Sequence, residues 1–218
     1  MKLAEMLKIQ PGVTALIGGG GKTTLLYHLA EELRRQGTVL VCTTTKIWPP
    51  AQYSVAQDSD TLRKMLRDNG VACAGTPTEQ GKLAEPNFPW ANAADYVLVE
   101  ADGAAGRPFK AHDIHEPVLP KERNNTILVL GADGFGKAIS KMAHRPMLYA
   151  RLAGVMESQS ITPAIAAKVI NREKFHDRIF INQVDREEEW PLVREFAEKV
   201  DCPVVAGALQ NKYWESIK

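Results

Sequence analysis

Apolar, β-branched runs alternate along this chain with stretches whose apolar residues recur at helical spacing. That alternation predicts a parallel sheet covered on both faces by helices, because strands buried on two sides read as continuous apolar runs. The runs place strands at Val13 to Ile17, Thr38 to Thr43, Tyr96 to Glu100, Thr126 to Gly131, Arg178 to Asn182 and Pro203 to Ala206. The helical spacing falls at Lys22 to Gln36, Asp60 to Asn69, Pro146 to Met156, Pro163 to Ile170 and Glu187 to Val200. Gly37 and Gly70 follow the first two helices, where a residue free to turn left-handed ends a helix. The expected architecture is three-layer α/β with a mostly parallel central sheet.

Two stretches resist this alternation. Thr76 to Trp90 is rich in Pro, Gly and polar residues, and Ala104 to Asn125 is longer than an ordinary connection and holds Arg107, Lys110, His112, His115 and Glu116. They predict surface excursions near 70–93 and 104–125 on a single domain spanning 1–218, a length that suits one sizeable core. The second excursion follows a strand at the edge of the sheet where ligands bind in such folds, and loops of that length tend to be either functional or disordered. No internal repeat or low-complexity tract is present.

Charge narrows the partners. Lys+Arg 27 against Asp+Glu 26 gives a formal charge of +1, which argues against nucleic acid or a membrane surface as the electrostatic partner. Cys42, Cys73 and Cys202 lie far apart without metal-ligand spacing, as in a reduced cytoplasmic protein. The opening Met-Lys-Leu-Ala-Glu-Met-Leu-Lys carries charge every few residues, so neither a signal peptide nor a membrane span is expected.

The chemistry concentrates first at Gly18-Gly19-Gly20-Gly21-Lys22-Thr23-Thr24, between an apolar strand and a helix. Glycines let backbone N–H groups curl around an anion, and the helix N-terminus adds partial positive charge. In that setting Lys22 reaches the β- and γ-phosphates of a nucleotide and the Thr23 hydroxyl ligates Mg²⁺. Leu16 stands where the full G-x-x-x-x-G-K-[ST] pattern has its first glycine. The context still predicts a P-loop NTPase-like fold, with GTP or ATP as ligand.

A second feature is the buried strand that delivers Glu100, Asp102 and Gly103. A carboxylate beside a phosphate loop holds Mg²⁺, directly or through water, and orients a nucleophile. Spacing does not rank Glu100 against Asp102. A third is Asn182-Gln183-Val184-Asp185, after the penultimate strand. It resembles the Asn-Lys-x-Asp guanine-recognition motif, with Gln183 in place of lysine. Asp185 would accept from the N1–H and exocyclic amine of guanine, a donor pair adenine lacks. Asn182 would bond the base and brace neighbouring loops, and Ala206-Gly207-Ala208 would close the base edge. The plain alternative is a strand-to-helix turn capped by Asp185.

Thr43-Thr44-Thr45-Lys46 ends the second strand as either a switch segment or ordinary strand-end threonines. In the long loop Arg107 and Lys110 are candidates to stabilise transferred phosphate charge or to bind an anionic substrate. His112 and His115 are candidates for the same two roles, and with Glu116 the group is a candidate to hold a metal, against the default of solvated loop charges. His28, on the first helix, reads as packing or surface.

The glycine core Gly18 to Thr24 is similar to the variant loop of metal-centre accessory GTPases, which usually carry a lysine where this chain has Ile17. Glu100 to Gly103 also resembles their third motif, whose glycine senses the γ-phosphate. These loops combine with Arg107-Pro108-Phe109-Lys110, His115-Glu116-Pro117, Thr43 to Lys46, Gly131, His144-Arg145-Pro146 and Asn182 to Asp185. Together they resemble the selenium-dependent molybdenum hydroxylase accessory family YqeC over most of the chain. The resemblance implies a cytoplasmic bacterial P-loop protein that serves maturation of selenium-dependent molybdenum hydroxylases, with a hydroxylase client or a cofactor-maturation protein as partner. It assigns no residue to selenium or molybdenum.

Three functions stay open on these residues. The leading one is a Mg²⁺-dependent nucleoside triphosphatase, GTP favoured over ATP. In it Lys22 stabilises phosphate charge, Thr23 and Glu100 or Asp102 hold Mg²⁺, and Asp185 selects the base. The second is an ATP-dependent small-molecule kinase or nucleotidyl transferase acting on a cofactor precursor, its acceptor held by the Arg107 to Glu116 loop. The third is a nucleotide-sensing adaptor that turns over negligibly by itself.

Overall fold

The run Tyr96–Glu100 is a strand in the computed structural model, which describes residues 1–218, and every one of its five residues is buried. Arg178–Asn182 likewise keeps its predicted limits. Such agreement follows from composition: both runs are apolar on both faces, and each ends on a polar side chain. The fold is α/β, with nine strands in a mostly parallel central sheet and seven α-helices. The chain forms two compact units.

The first unit comprises Met1–Leu16, Thr23–Gly103 and Val118–Thr126. Its strands stand in the order Gly12–Gly18, Tyr96–Glu100, Val39–Thr43, Val71–Ala74, Val55–Ala56, each parallel to the next. The register sets both Leu16 and Thr43 level with Glu100, so three strand ends converge on that carboxylate. One core cluster packs Leu40, Cys42, Val97 and Val99 of the sheet against Leu62 and Leu66 of the helix Ser59–Asn69. That helix is well delimited. Asp58 accepts from the N–H groups of Asp60 and Thr61, and Gly70 ends the helix at φ 71°.

The other predicted glycine stop differs. The first long helix is Lys22–Leu33, ending short of Gln36, and Gly37 does not adopt a left-handed φ. Its place is instead against Asp95, whose Oδ2 lies 2.8 Å from where a Cβ would sit. The buried strand Val71–Ala74 falls inside the segment read as a polar excursion. Val-Ala-Cys-Ala carries one β-branched residue and is too short to show a period. Beyond it, Thr76–Pro77, Leu83–Ala84 and Lys46–Ile47 form a small antiparallel sheet of their own.

The second unit comprises Ile17–Lys22, Ala104–Pro117 and Ile127–Lys218. Its strands run in the order Tyr213–Ser216, Val204–Ala208, Arg178–Asn182, Arg123–Gly131. Only the Tyr213–Ser216 edge is antiparallel. Gly131 stands level with Asn182 in this register. Phe109, Phe135, Tyr149 and Phe196 interlock edge-on or tilted, with ring centroids 5.2 to 6.2 Å apart. The helices Pro146–Ala153, Pro163–Glu173 and Glu189–Glu198 complete the unit. The first of these stops at Gly154, with φ 72°, short of the predicted Met156. No helix is long and apolar enough to cross a membrane.

Candidate phosphate loop, carboxylate and base-side turn

The glycine run does what only glycine does well. Gly18, Gly20 and Gly21 have φ of 93°, 61° and 102°, a region that strains any residue with a Cβ. Space is equally restrictive. A Cβ on Gly19 would lie 2.2 Å from the Arg107 carbonyl oxygen, and one on Gly20 would lie 2.2 Å from the Leu130 carbonyl carbon. Gly20→Ala should therefore destabilise the fold by about 3 kcal/mol, since backbone cannot yield as a flexible side chain does. A lower denaturant midpoint at unchanged slope is the expected reading.

Main-chain bonds set the loop. Gly19 N–H donates to Val129 O at 2.8 Å and Gly20 N–H to Arg107 O at 3.3 Å. The first-turn N–H groups at Lys22, Thr23 and Thr24 have no carbonyl within the helix to receive them. The N–H groups without an acceptor inside the helix thus stand at the helix end of the motif. Lys22 is buried, and its ammonium donates to Gly18 O at 2.6 Å, which folds the side chain back over the loop.

In the first unit the carboxylate and hydroxyl meet. Thr23 Oγ1 donates to Glu100 Oε2 at 2.7 Å, and Thr43 Oγ1 donates to the Glu100 carbonyl at 2.8 Å. Thr44 N–H also reaches that carbonyl, at 3.2 Å, and Thr44 Oγ1 donates to Val118 O at 2.6 Å. The Thr43 to Thr45 segment therefore fixes the Glu100 backbone while its carboxylate turns to Thr23. Asp102 is fully buried, whereas Gly103 is exposed and open on its Cβ side. Lys46 points to solvent.

The base-side motif is anchored in the second unit. Asn182 is buried, donating from Nδ2 to Gly20 O at 2.8 Å and accepting Leu209 N–H at 3.1 Å. It thus ties the glycine loop to the loop after the last inner strand. Val184 N–H donates to Gly207 O at 3.1 Å, while Gly207 itself packs against the Tyr213–Trp214 backbone. Asp185 is exposed and does not cap the following helix. That helix has no side-chain cap; the carboxylate of Glu189, its first residue, instead accepts the N–H groups of Asp185 and Arg186 in the preceding turn. Neither Glu189 nor Asn211, which donates to Asp185 Oδ1 at 3.1 Å, stands in a recognisable motif.

Gln183 sits at φ 63° where the familiar motif has lysine. Its Oε1 and Asp133 Oδ1 crowd the same side of Gly131 and are buried without a hydrogen-bond partner. Burial, reinforced by the charges of Glu189 and Asp185, pushes the Asp133 carboxyl above its usual range against the pull of Lys137.

The long loop divides its charges. Arg107 is exposed and makes no ion pair, although its carbonyl supports the glycine loop. Lys110 is buried, its ammonium 2.7 Å from Glu116 Oε2, and Arg145 bonds the same oxygen. Burial pushes the Glu116 carboxyl up, but Arg145 and Lys110 outweigh it and hold it below the usual range. His112 is bonded to Glu173 through both its backbone N–H and Nδ1, and His115 is exposed. No group of three or more His, Cys, Asp or Glu side chains is arranged to hold a metal. On the first helix His28 pairs with Glu32 at 3.1 Å, and all three cysteines are free.

Residues 14–147 match the family described as YqeC protein. Protein YqeC of Escherichia coli (strain K12) is 32% identical over 159 residues, covering 67% of this chain and 62% of that protein. The chain thus spans less than two thirds of its relative's length. Among solved structures, it is similar to the signal recognition particle 54 kDa protein of Aeropyrum pernix K1 in complex with GDP. The TM-score is 0.42, with 14% identity over 97% of this chain and 48% of that one.

Proposed function

The chain belongs to the YqeC protein family, and from that premise we propose that it is a Mg²⁺-dependent P-loop nucleoside triphosphatase that prefers GTP to ATP. Its service is maturation of selenium-dependent molybdenum hydroxylases in the cytoplasm. The observation that carries the nucleotide reading is Asn182, which bonds both the Gly20 carbonyl and the Leu209 N–H. One buried amide thereby couples the loop suited to phosphate with the turn suited to a base.

Each residue then has a physical task. The helix N-terminus and Lys22 hold the phosphates. Thr23 and Glu100 supply the hydroxyl and carboxylate oxygens that a hard divalent cation takes. Bound there, Mg²⁺ would neutralise phosphate charge. Asp185 accepts from a guanine edge, and Arg107 stabilises charge on a transferred phosphoryl group, a role that its exposed side chain, engaged in no ion pair, supports. The kinase or transferase alternative needs a basic loop for an anionic acceptor. Lys110 is already engaged by Glu116, so the loop favours hydrolysis over that reading.

Calorimetric titration with GTP and ATP in Mg²⁺ tests the base assignment. The expected result is tighter GTP binding in the wild type and loss of about tenfold of that preference in Asp185→Asn, since an amide cannot accept from two neighbouring donors as a carboxylate does. Equal affinity for the two nucleotides in the wild type would overturn it.

A further inference from the structure

The Asp185 turn is held by a buried carboxylate that no nucleotide motif includes. Glu189 is 5% exposed, yet each of its oxygens is used. Oε2 accepts Asp185 N–H at 2.9 Å and Arg186 N–H at 3.1 Å, while Oε1 accepts Arg186 Nε at 3.1 Å and Nη2 at 2.7 Å. A carboxylate is expensive to bury unless its lone pairs are met in this way. The arrangement therefore fixes the backbone of Asp185, after a chain that has just passed through the left-handed Gln183 and the bond from Val184 to Gly207.

The side chain is held from the other direction. Asn211 Nδ2 donates to Asp185 Oδ1, and Asn211 is itself turned back by its N–H bond to Ala208 O at 3.1 Å. Asp185 remains exposed, so a fixed carboxylate faces solvent with lone pairs to spare. A carboxylate presented in this way suits a ligand edge with adjacent N–H donors.

We propose that Glu189 and Asn211 are positioning residues that give the base side its selectivity for guanine, Glu189 by holding the Asp185 backbone and Asn211 by orienting its carboxylate. The inference rests on the base-side reading above. Glu189→Ala and Asn211→Ala each lower the ratio of GTP to ATP affinity about tenfold, as expected when a donor-reading site loses its geometry. Affinity for Mg²⁺-tripolyphosphate, which has no base, stays within about twofold of wild type because the phosphate contacts are untouched. Glu189→Gln retains an oxygen for both N–H groups and keeps the ratio within about threefold.

Calorimetry on the four proteins with GTP, ATP and tripolyphosphate reads all of this. Asn211 is exposed, so its variant carries the test even where Glu189→Ala fails to fold. A wild type that prefers GTP with Asn211→Ala unchanged would overturn this inference alone, and so would a variant that loses tripolyphosphate as steeply as GTP. A wild type without GTP preference would overturn the base-side reading first and this inference with it.

Discussion

Replacing Lys22 with alanine is expected to weaken Mg²⁺-nucleotide binding by at least about 100-fold while the chain stays folded. A unit charge about 4 Å from a phosphate oxygen is worth about 4 kcal/mol at the effective dielectric of a protein surface. Even three quarters of that spans two decades of affinity. The stability effect is much smaller. In the free chain the ammonium bonds Gly18 O, and that bond contributes about 1 kcal/mol net, a melting shift of about 2–4 °C for a chain this long. Calorimetry with GTP and ATP, paired with a thermal melt, separates the two. Unchanged nucleotide affinity, with only the melt displaced, would reduce Lys22 to a staple of the glycine turn and overturn the phosphate-loop assignment.

That separation matters because the glycine loop is the most legible part of the molecule. A Cβ-free run between an apolar strand and a helix has few other solutions, and the strand Gly12–Gly18 and helix Lys22–Leu33 take their expected places around it. The strands ending at Glu100 and Asn182 were equally readable, since the unbroken runs Tyr96 to Val99 and Ile179 to Ile181 are apolar and β-favouring, and each is closed by a polar residue. What pattern cannot carry is partnership over distance. Asn182 and Gly20 are 162 residues apart, and no spacing rule joins them. Lys110 and Glu116 sit six residues apart in plain view, but only the folded loop reveals that one neutralises the other. Glu189 was hidden for a related reason. A glutamate in the first turn of a helix reads as a favourable surface charge, and its reach back to Asp185 and Arg186 is a property of the turn's shape. The exposed Tyr213–Ser216 edge is defined by its neighbour Val204–Ala208, with mixed polarity and no period of its own.

Glu100→Gln is the second substitution with a large expected effect, and it separates two carboxylates that spacing left equal. Glu100 accepts a hydrogen bond from Thr23 Oγ1 at 2.7 Å, so a hydroxyl and a carboxylate oxygen already stand together, as a hard divalent cation requires. Asp102 is fully buried beyond the strand end. Glutamine keeps the acceptor for Thr23 and nearly the same volume, but removes the charge that would balance the metal. Nucleotide affinity in excess Mg²⁺ should fall about 10–100-fold, whereas affinity in excess EDTA should be unchanged or slightly higher, because one negative charge near the phosphates has gone. The expected consequence is a protein whose nucleotide binding no longer responds to Mg²⁺. Asp102→Asn, measured alongside, should keep the Mg²⁺ response. The reverse pattern, with Asp102→Asn insensitive to Mg²⁺ and Glu100→Gln responsive, would transfer the metal to Asp102 and leave the Thr23–Glu100 bond as a tie between helix and strand.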